Sequence, residues 1–233
     1  MNLLLICLPR SRSWFMLNSL CSYYKLENRG EYFGRLHHDY ADNFVQYQKE
    51  SRYFQPNNIG VKLFAQSLTS NNFLRNFDAQ LLIQNFTETF NIFLYDKVIV
   101  LTRENKTDQV ASTLYAIHNK KFIYLSKLER KNDQLHIDLD DEKNIEIIKR
   151  SLINHIIIDL IKDTLKFSRV SFDYIDYDNV PKYLLSKNIP SYKHFIDTKY
   201  VYQTLISNYE QLEITIEKEF NFLKNILADI KLT

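Results

Sequence analysis

Glycine is scarce, with three in 233 residues, and proline occurs only four times, so no glycine- or proline-rich linker divides the chain. The length then predicts one α/β domain spanning 1–233, with a helical segment at about 205–230, large enough to bury a full core. Cysteine is nearly as rare. Cys7 and Cys21 both fall at apolar positions, without the spacing of a metal site, and read as reduced, buried thiols of a cytoplasmic protein. Charge of one sign is missing too: a formal net charge of +2 leaves no polybasic footprint, which argues against nucleic acid as the main partner. No apolar run reaches the length of a membrane span. The first such run, Leu3 to Leu8, has no positive region before it and is cut at Pro9-Arg10, so it reads as structure and not as a signal peptide.

That run is too short for a helix and fits a buried parallel strand, whereas Trp14, Leu17, Cys21 and Tyr24 recur at helical spacing after it. Between them lies Pro9-Arg10-Ser11-Arg12-Ser13. A loop that runs into a helix N-terminus meets free backbone N–H groups and the positive end of the helix dipole; two arginines and two serines add cations and hydroxyl donors. The loop is predicted to bind an oxyanion, phosphate or sulfate. A nucleotide triphosphatase would carry G-x-x-x-x-G-K-[ST] here, and this loop has neither the glycine nor the lysine.

A second strand, Val98-Ile99-Val100-Leu101, leads through Thr102-Arg103-Glu104-Asn105 into a helix carrying Gln109, Ser112 and Ala116. On that helix Val110, Leu114 and Ile117 make the expected core stripe, and Gln109, Ser112 and Ala116 a small, polar face open to a ligand. Gly30-Glu31-Tyr32-Phe33-Gly34 places a glutamate on a turn flanked by two of the three glycines, with His37 and His38 just beyond. Asn58-Ile59-Gly60-Val61-Lys62-Leu63-Phe64 reads as a strand whose lysine is structural.

Leu8-Pro9-Arg10-Ser11-Arg12-Ser13-Trp14 resembles the 5′-phosphosulfate loop, P-[KR]-S-x-[ST], of sulfotransferases that use 3′-phosphoadenosine 5′-phosphosulfate (PAPS). The Gln-x-x-Ser-x-x-x-Ala texture and the Glu-Tyr-Phe segment are similar to the bacterial trehalose sulfotransferase group. The resemblance covers about the first half of the chain. It implies a P-loop NTPase-like three-layer fold, a mainly parallel sheet with helices on both faces. It further implies that Arg10 is the catalytic cation, that Ser11, Arg12, Ser13 and Trp14 hold the 5′-phosphosulfate, and that Arg103 and Ser112 hold the 3′-phosphate. Glu31 then matches the general base, with His37 or His38 as the alternative, because histidine serves in other branches. Where many relatives have glycine, this chain has Arg12. The expected reaction moves a sulfuryl group to a hydroxyl of a small acceptor, a sugar or glycolipid, releases adenosine 3′,5′-bisphosphate and needs no metal. Two other readings stay open: a P-loop-type nucleotide kinase or phosphotransferase, and a non-catalytic nucleotide-binding relative.

The remaining stretches organise the chain. Residues 23–56 read as an irregular active-site cover, 64–70 and 73–93 as helical, and 119–139 as a hairpin or lid. Glu142 to Phe167 is one long helix with His155 in its core, Val170 to Tyr174 a late strand, and Leu212, Ile216, Phe220, Leu223 and Leu227 a helical stripe. That stripe packs either on the domain or on a second copy in a homodimer.

Overall fold

The computed structural model describes residues 1–9, 11–31, 57–65, 92–119, 134–167, 170–190 and 202–230. They fall into two compact units, Met1–Arg103 with Ile156–Lys193 and Glu104–His155 with His194–Thr233.

The first unit is built on a five-stranded, all-parallel sheet in the order β2-β3-β1-β4-β5. Its strands are β1 (Leu3–Cys7), β2 (Glu27–Glu31), β3 (Ile59–Phe64), β4 (Lys97–Thr102) and β5 (Phe172–Asp176). The order follows the apolar content of each strand. Leu3-Leu4-Leu5-Ile6-Cys7 is buried throughout and takes the centre, the largely buried β3 and β4 flank it, and the polar Glu-Asn-Arg-Gly-Glu of β2 takes an edge. Each fully buried leucine or isoleucine is worth about 1.5–3 kcal/mol over leaving it exposed, so β1 and its neighbours dominate the stability of the sheet. This is the P-loop-like parallel α/β arrangement expected from the sequence. Cys7 stands in register with Phe64 on one side and Leu101 on the other. The loops after β1 and β4 therefore leave the same, carboxyl edge.

Helix α1 (Ser13–Tyr24) packs against β2 and β3 and ends at Lys25, whose left-handed backbone (φ 55°) lets Leu26 N–H reach the Cys21 carbonyl at 2.9 Å. Under that helix Gly60 is obligatory, because a Cβ there would overlap Cys21 Sγ. Burial pushes the Cys21 thiol up to about 11, and both cysteines are unbridged and buried. On the other edge, Asp173 of β5 accepts a hydrogen bond from Tyr183 Oη (2.7 Å) and pairs with Lys97 Nζ (3.0 Å).

Two expectations change here. Residues 23–56 were expected to be irregular throughout, but 27–31 form an edge strand: the pairing with β3 carries polar side chains outward, so no apolar pattern announces it. The late strand begins at Phe172, two residues beyond the expected start, since Val98 N–H takes the Ser171 carbonyl and paired register starts there.

The second unit is helical. It holds α2 (Lys106–His118), the first part of α3 (Glu142–Phe167), α5 (Tyr202–Leu205) and α6 (Tyr209–Ile230); the rest of α3 and α4 (Val180–Ser186) belong to the first unit. Asn105 caps α2 by accepting from Asp108 N–H at 2.9 Å. Of the expected core stripe on α2, Val110 and Leu114 are buried and Ile117 is exposed, while Gln109, Ser112 and Ala116, expected to be open to a ligand, are buried as well. Helices α5 and α6 pack on α2, and Tyr202 Oη donates to Ser112 Oγ at 2.8 Å, so the small polar face is a packing face. Leu212, Ile216 and Phe220 of α6 are buried within the chain. The long helix runs as predicted, with His155 buried in it. Of the expected helices at 64–70 and 73–93 and the hairpin or lid at 119–139, residues 66–70, 73–91 and 120–133 lie outside the described residues; Phe64 ends β3 and is not helical, Ile92–Leu94 form a 3-10 turn, and Leu135 bridges to Ile206.

Candidate functional site

At the carboxyl edge of the first unit the chain turns sharply after β1. Leu8 N–H extends the β1–β4 pairing by bonding the Leu101 carbonyl (3.3 Å), and Ser11 Oγ donates back to the Leu8 carbonyl (2.5 Å), closing the turn. Ser11 and Ser13 are both buried. Arg12 is the N-cap of α1 and sits in the left-handed region (φ 59°, ψ 20°). Its side chain makes no capping bond, and the first turn of α1 has no acidic residue. The positive end of this helix dipole is thus uncompensated by its own first turn, unlike the capped start of α2. Trp14, on that first turn, is half exposed. Arg10 lies outside the described residues.

Arg103 follows β4 directly. It is 6% exposed, and its guanidinium carbon lies 4.4 Å from the centre of the Tyr177 ring. The Arg12 guanidinium approaches the same ring at 4.1 Å and donates from Nη1 to the Tyr177 carbonyl at 3.3 Å. Tyr177 opens a single 3-10 turn after β5, fixed by Asp176 Oδ2 accepting from Asp178 N–H (2.9 Å). Loops after β1, β4 and β5 thus meet at one aromatic ring. Sequence reasoning identified the two arginines but missed Tyr177; its signal was its position, one residue past the C-terminus of a strand at the same sheet edge.

Glu31 is the last residue of β2, not part of a free turn. Gly30 before it has φ 68° at a register shift between Asn28 and Gly30, a bulge that only a glycine makes without strain. Glu31 Oε1 lies 2.9 Å from Lys62 Nζ, its register partner on β3. Lys62 is therefore more than a strand lysine with its head in water: it is buried and paired. Cys7 lies within reach of this pair. Burial pushes its thiol up to about 12, against the opposing pull of the Lys62 ammonium and a hydrogen bond with Ser13. His37 and His38 lie outside the described residues. Ser112 belongs to the second unit, where its hydroxyl is engaged by Tyr202.

Two guanidinium groups, one of them buried, beside a serine-bearing loop and an open helix start make a site suited to an anion with more than one charged group. Among the described residues no cluster of His, Cys, Asp and Glu could hold a metal ion, and no helix is long and apolar enough to cross a membrane.

No protein-family model matches the chain, and no curated protein does. Among solved structures it is similar to the YorR protein of Bacillus subtilis, crystallised in complex with phosphorylated GDP, at 10% identity and a TM-score of 0.42, over 81% of this chain and 96% of that one. A likeness at that level assigns neither ligand nor activity, and what the chain binds rests on its own residues.

Proposed function

We propose that this chain is a sulfotransferase that moves a sulfuryl group from PAPS to a hydroxyl of a small acceptor of the sugar or glycolipid class. The observation that carries the reading is the convergence of Arg12 and Arg103, from the loops after two adjacent parallel strands, on one edge of the sheet. A nucleotide that carries a second phosphate beside the one at the β1–α1 loop gives this pair of cations its ligand. The loop chemistry narrows the choice: without a Walker lysine or its glycines, the β1–α1 turn is poorly suited to a nucleoside triphosphate with magnesium.

In this reading the donor supplies an activated sulfuryl group, and the chain's residues position it. The amides of residues 11–14 hold the 5′-phosphate, the Ser11 hydroxyl fixes the turn that presents them by donating to the Leu8 carbonyl, and Arg103 grips the 3′-phosphate, so binding energy remote from the reaction aligns the transfer. Arg10 offsets the negative charge that grows on the departing phosphate oxygen. Glu31 accepts the proton of the acceptor hydroxyl, and Lys62 Nζ, 2.9 Å from its Oε1, holds the carboxylate in place.

The strand order 2-3-1-4-5 equally suits a P-loop phosphotransferase, which is the second reading. Thermal unfolding with adenosine 3′,5′-bisphosphate, beside ATP with magnesium, separates the two, because a specific ligand raises the midpoint by mass action. A rise with the bisphosphate alone, followed by sulfuryl transfer from PAPS to a sugar panel, is the expected result. A rise with ATP and magnesium alone would turn the assignment to phosphotransfer; bisphosphate binding without transfer to any hydroxyl acceptor would make the chain a non-catalytic nucleotide binder.

A further inference from the structure

We infer that Tyr177 is a positioning residue that holds Arg12 and Arg103 together as one two-cation clamp, and that this clamp reads the phosphate by which the bound nucleotide differs from a simple 5′-monophosphate. The inference rests on the nucleotide reading above and adds to it a residue and a selectivity.

Three observations carry it. The two guanidinium groups lie 4.1 and 4.4 Å from the centre of the same ring, although they come from loops far apart in sequence. Like charges do not gather unaided, and an aromatic face is the neutral surface that attracts both through its quadrupole. Second, Arg12 occupies a left-handed backbone conformation, φ 59°, that disfavours every residue with a Cβ. Glycine would make the same turn without strain, so what arginine adds is its side chain, and that side chain is fixed at both ends of Tyr177, over the ring and at the carbonyl. Third, Arg103 is almost fully buried at the sheet edge, where a desolvated guanidinium binds a phosphate dianion strongly and in fixed geometry. Tyr177 itself is placed rigidly, one residue past β5 in a turn closed by Asp176.

A phosphate bridging two arginines depends on both being held in place. Losing the ring removes the aromatic surface that Arg12 and Arg103 share, and the nucleotide with the extra phosphate loses most. Binding of adenosine 3′,5′-bisphosphate and adenosine 5′-monophosphate to the full chain is to be measured by titration calorimetry for wild type, Tyr177→Leu and Tyr177→Phe, alone and with Arg103→Ala. Tyr177→Leu keeps the apolar bulk and removes the π face; it is expected to weaken the bisphosphate about tenfold and the monophosphate less than twofold. Tyr177→Phe restores bisphosphate binding to within about twofold, and in the Arg103→Ala background Tyr177→Leu has little further effect. In the transfer reaction Tyr177→Leu raises KM for PAPS and leaves kcat within about twofold.

Equal weakening of both nucleotides by Tyr177→Leu, or equal effects of the Leu and Phe variants, overturns the clamp and leaves only packing. Unchanged bisphosphate binding in Tyr177→Leu overturns it while the sulfotransferase reading stands. A wild-type chain that does not bind the bisphosphate overturns both.

Discussion

Lys62 Nζ and Glu31 Oε1 stand 2.9 Å apart across the β2–β3 pairing, and their burial is unequal: the lysine is 8% exposed and the glutamate 33%. The lysine therefore depends on the pair more than the glutamate does, since a buried ammonium without a counter-charge is costly and a half-buried carboxylate can turn to water. The base role proposed for Glu31 and its pairing with Lys62 can be separated by experiment.

Glu31→Gln should lower sulfuryl transfer by about 10²–10⁴-fold with bisphosphate affinity kept, and should also destabilise the fold by about 1–3 kcal/mol. Adding Lys62→Met to it should recover much of the stability in urea unfolding and none of the activity. His37→Ala and His38→Ala should stay active. Near wild-type turnover in Glu31→Gln beside a dead histidine variant would move the base to that histidine.

Arg10 and Arg103 should fail differently. Arg10 is assigned to charge that appears only in the transition state, so Arg10→Ala is expected to reduce kcat by about 10²–10³-fold with a modest change in KM. Arg103 is assigned to a phosphate that does not react, so Arg103→Ala should raise KM for PAPS by about 10–100-fold and spare kcat. Steady-state kinetics of both variants decide; equal losses of binding with unchanged kcat would contradict the division.

Gly60→Ala tests the packing of α1 on β3. The new methyl would meet Cys21 Sγ, and Leu17 Cδ1 at 3.5 Å leaves it little room to turn aside. A loss of about 1–3 kcal/mol is expected in thermal or urea unfolding. Cys21→Ala in the same chain should return part of that loss, because it vacates the space the methyl needs.

Asp173 sets one part of the acid limb. Burial alone would raise its pKa, but hydrogen bonds from Tyr183 and Lys97 and the nearby lysine charges outweigh it and hold the carboxyl below its ordinary value of 3.8. The unfolded chain then takes up this proton before the folded one does. The stabilisation is present above the ordinary value and is lost as pH falls through the lower, folded one. Urea midpoints of Asp173→Asn should be below wild type at pH 7 and converge on it only as pH falls below the ordinary carboxylate range. A gap that stays constant with pH would assign the loss to packing.

Much of the first unit could be read in advance because its strands carry their positions in their composition. Leu3 to Cys7 has no polar residue to turn outward and had to be central; Val98 to Leu101 repeats the pattern and lies next to it. Helix α3 was equally plain, since Leu152, Ile153, Ile156, Ile157 and Ile158 supply a buried apolar stretch around His155. What stayed hidden depended on partners distant in sequence. Glu27 to Glu31 has no strand pattern and becomes one only because β3 offers it an edge. Ser112 looked like a ligand-facing serine, and only Tyr202, ninety residues on, makes it a packing contact. The same holds at the site. Arg12 and Arg103 could each be named from a strand-loop-helix pattern, but their meeting place, Tyr177, is a property of sheet order.

The two buried thiols turn the chain into its own opening gauge. Cys7 lies in the central strand and Cys21 beneath α1 against Gly60, and their thiols, pushed up to about 12 and about 11, hold almost no thiolate near neutral pH. An alkylating reagent can therefore modify either one only when the surrounding structure comes apart. Cys21 becomes reachable when α1 lifts from β3, and Cys7 when the middle of the sheet separates. The difference between their labelling rates measures how much more easily the helix peels away than the sheet divides.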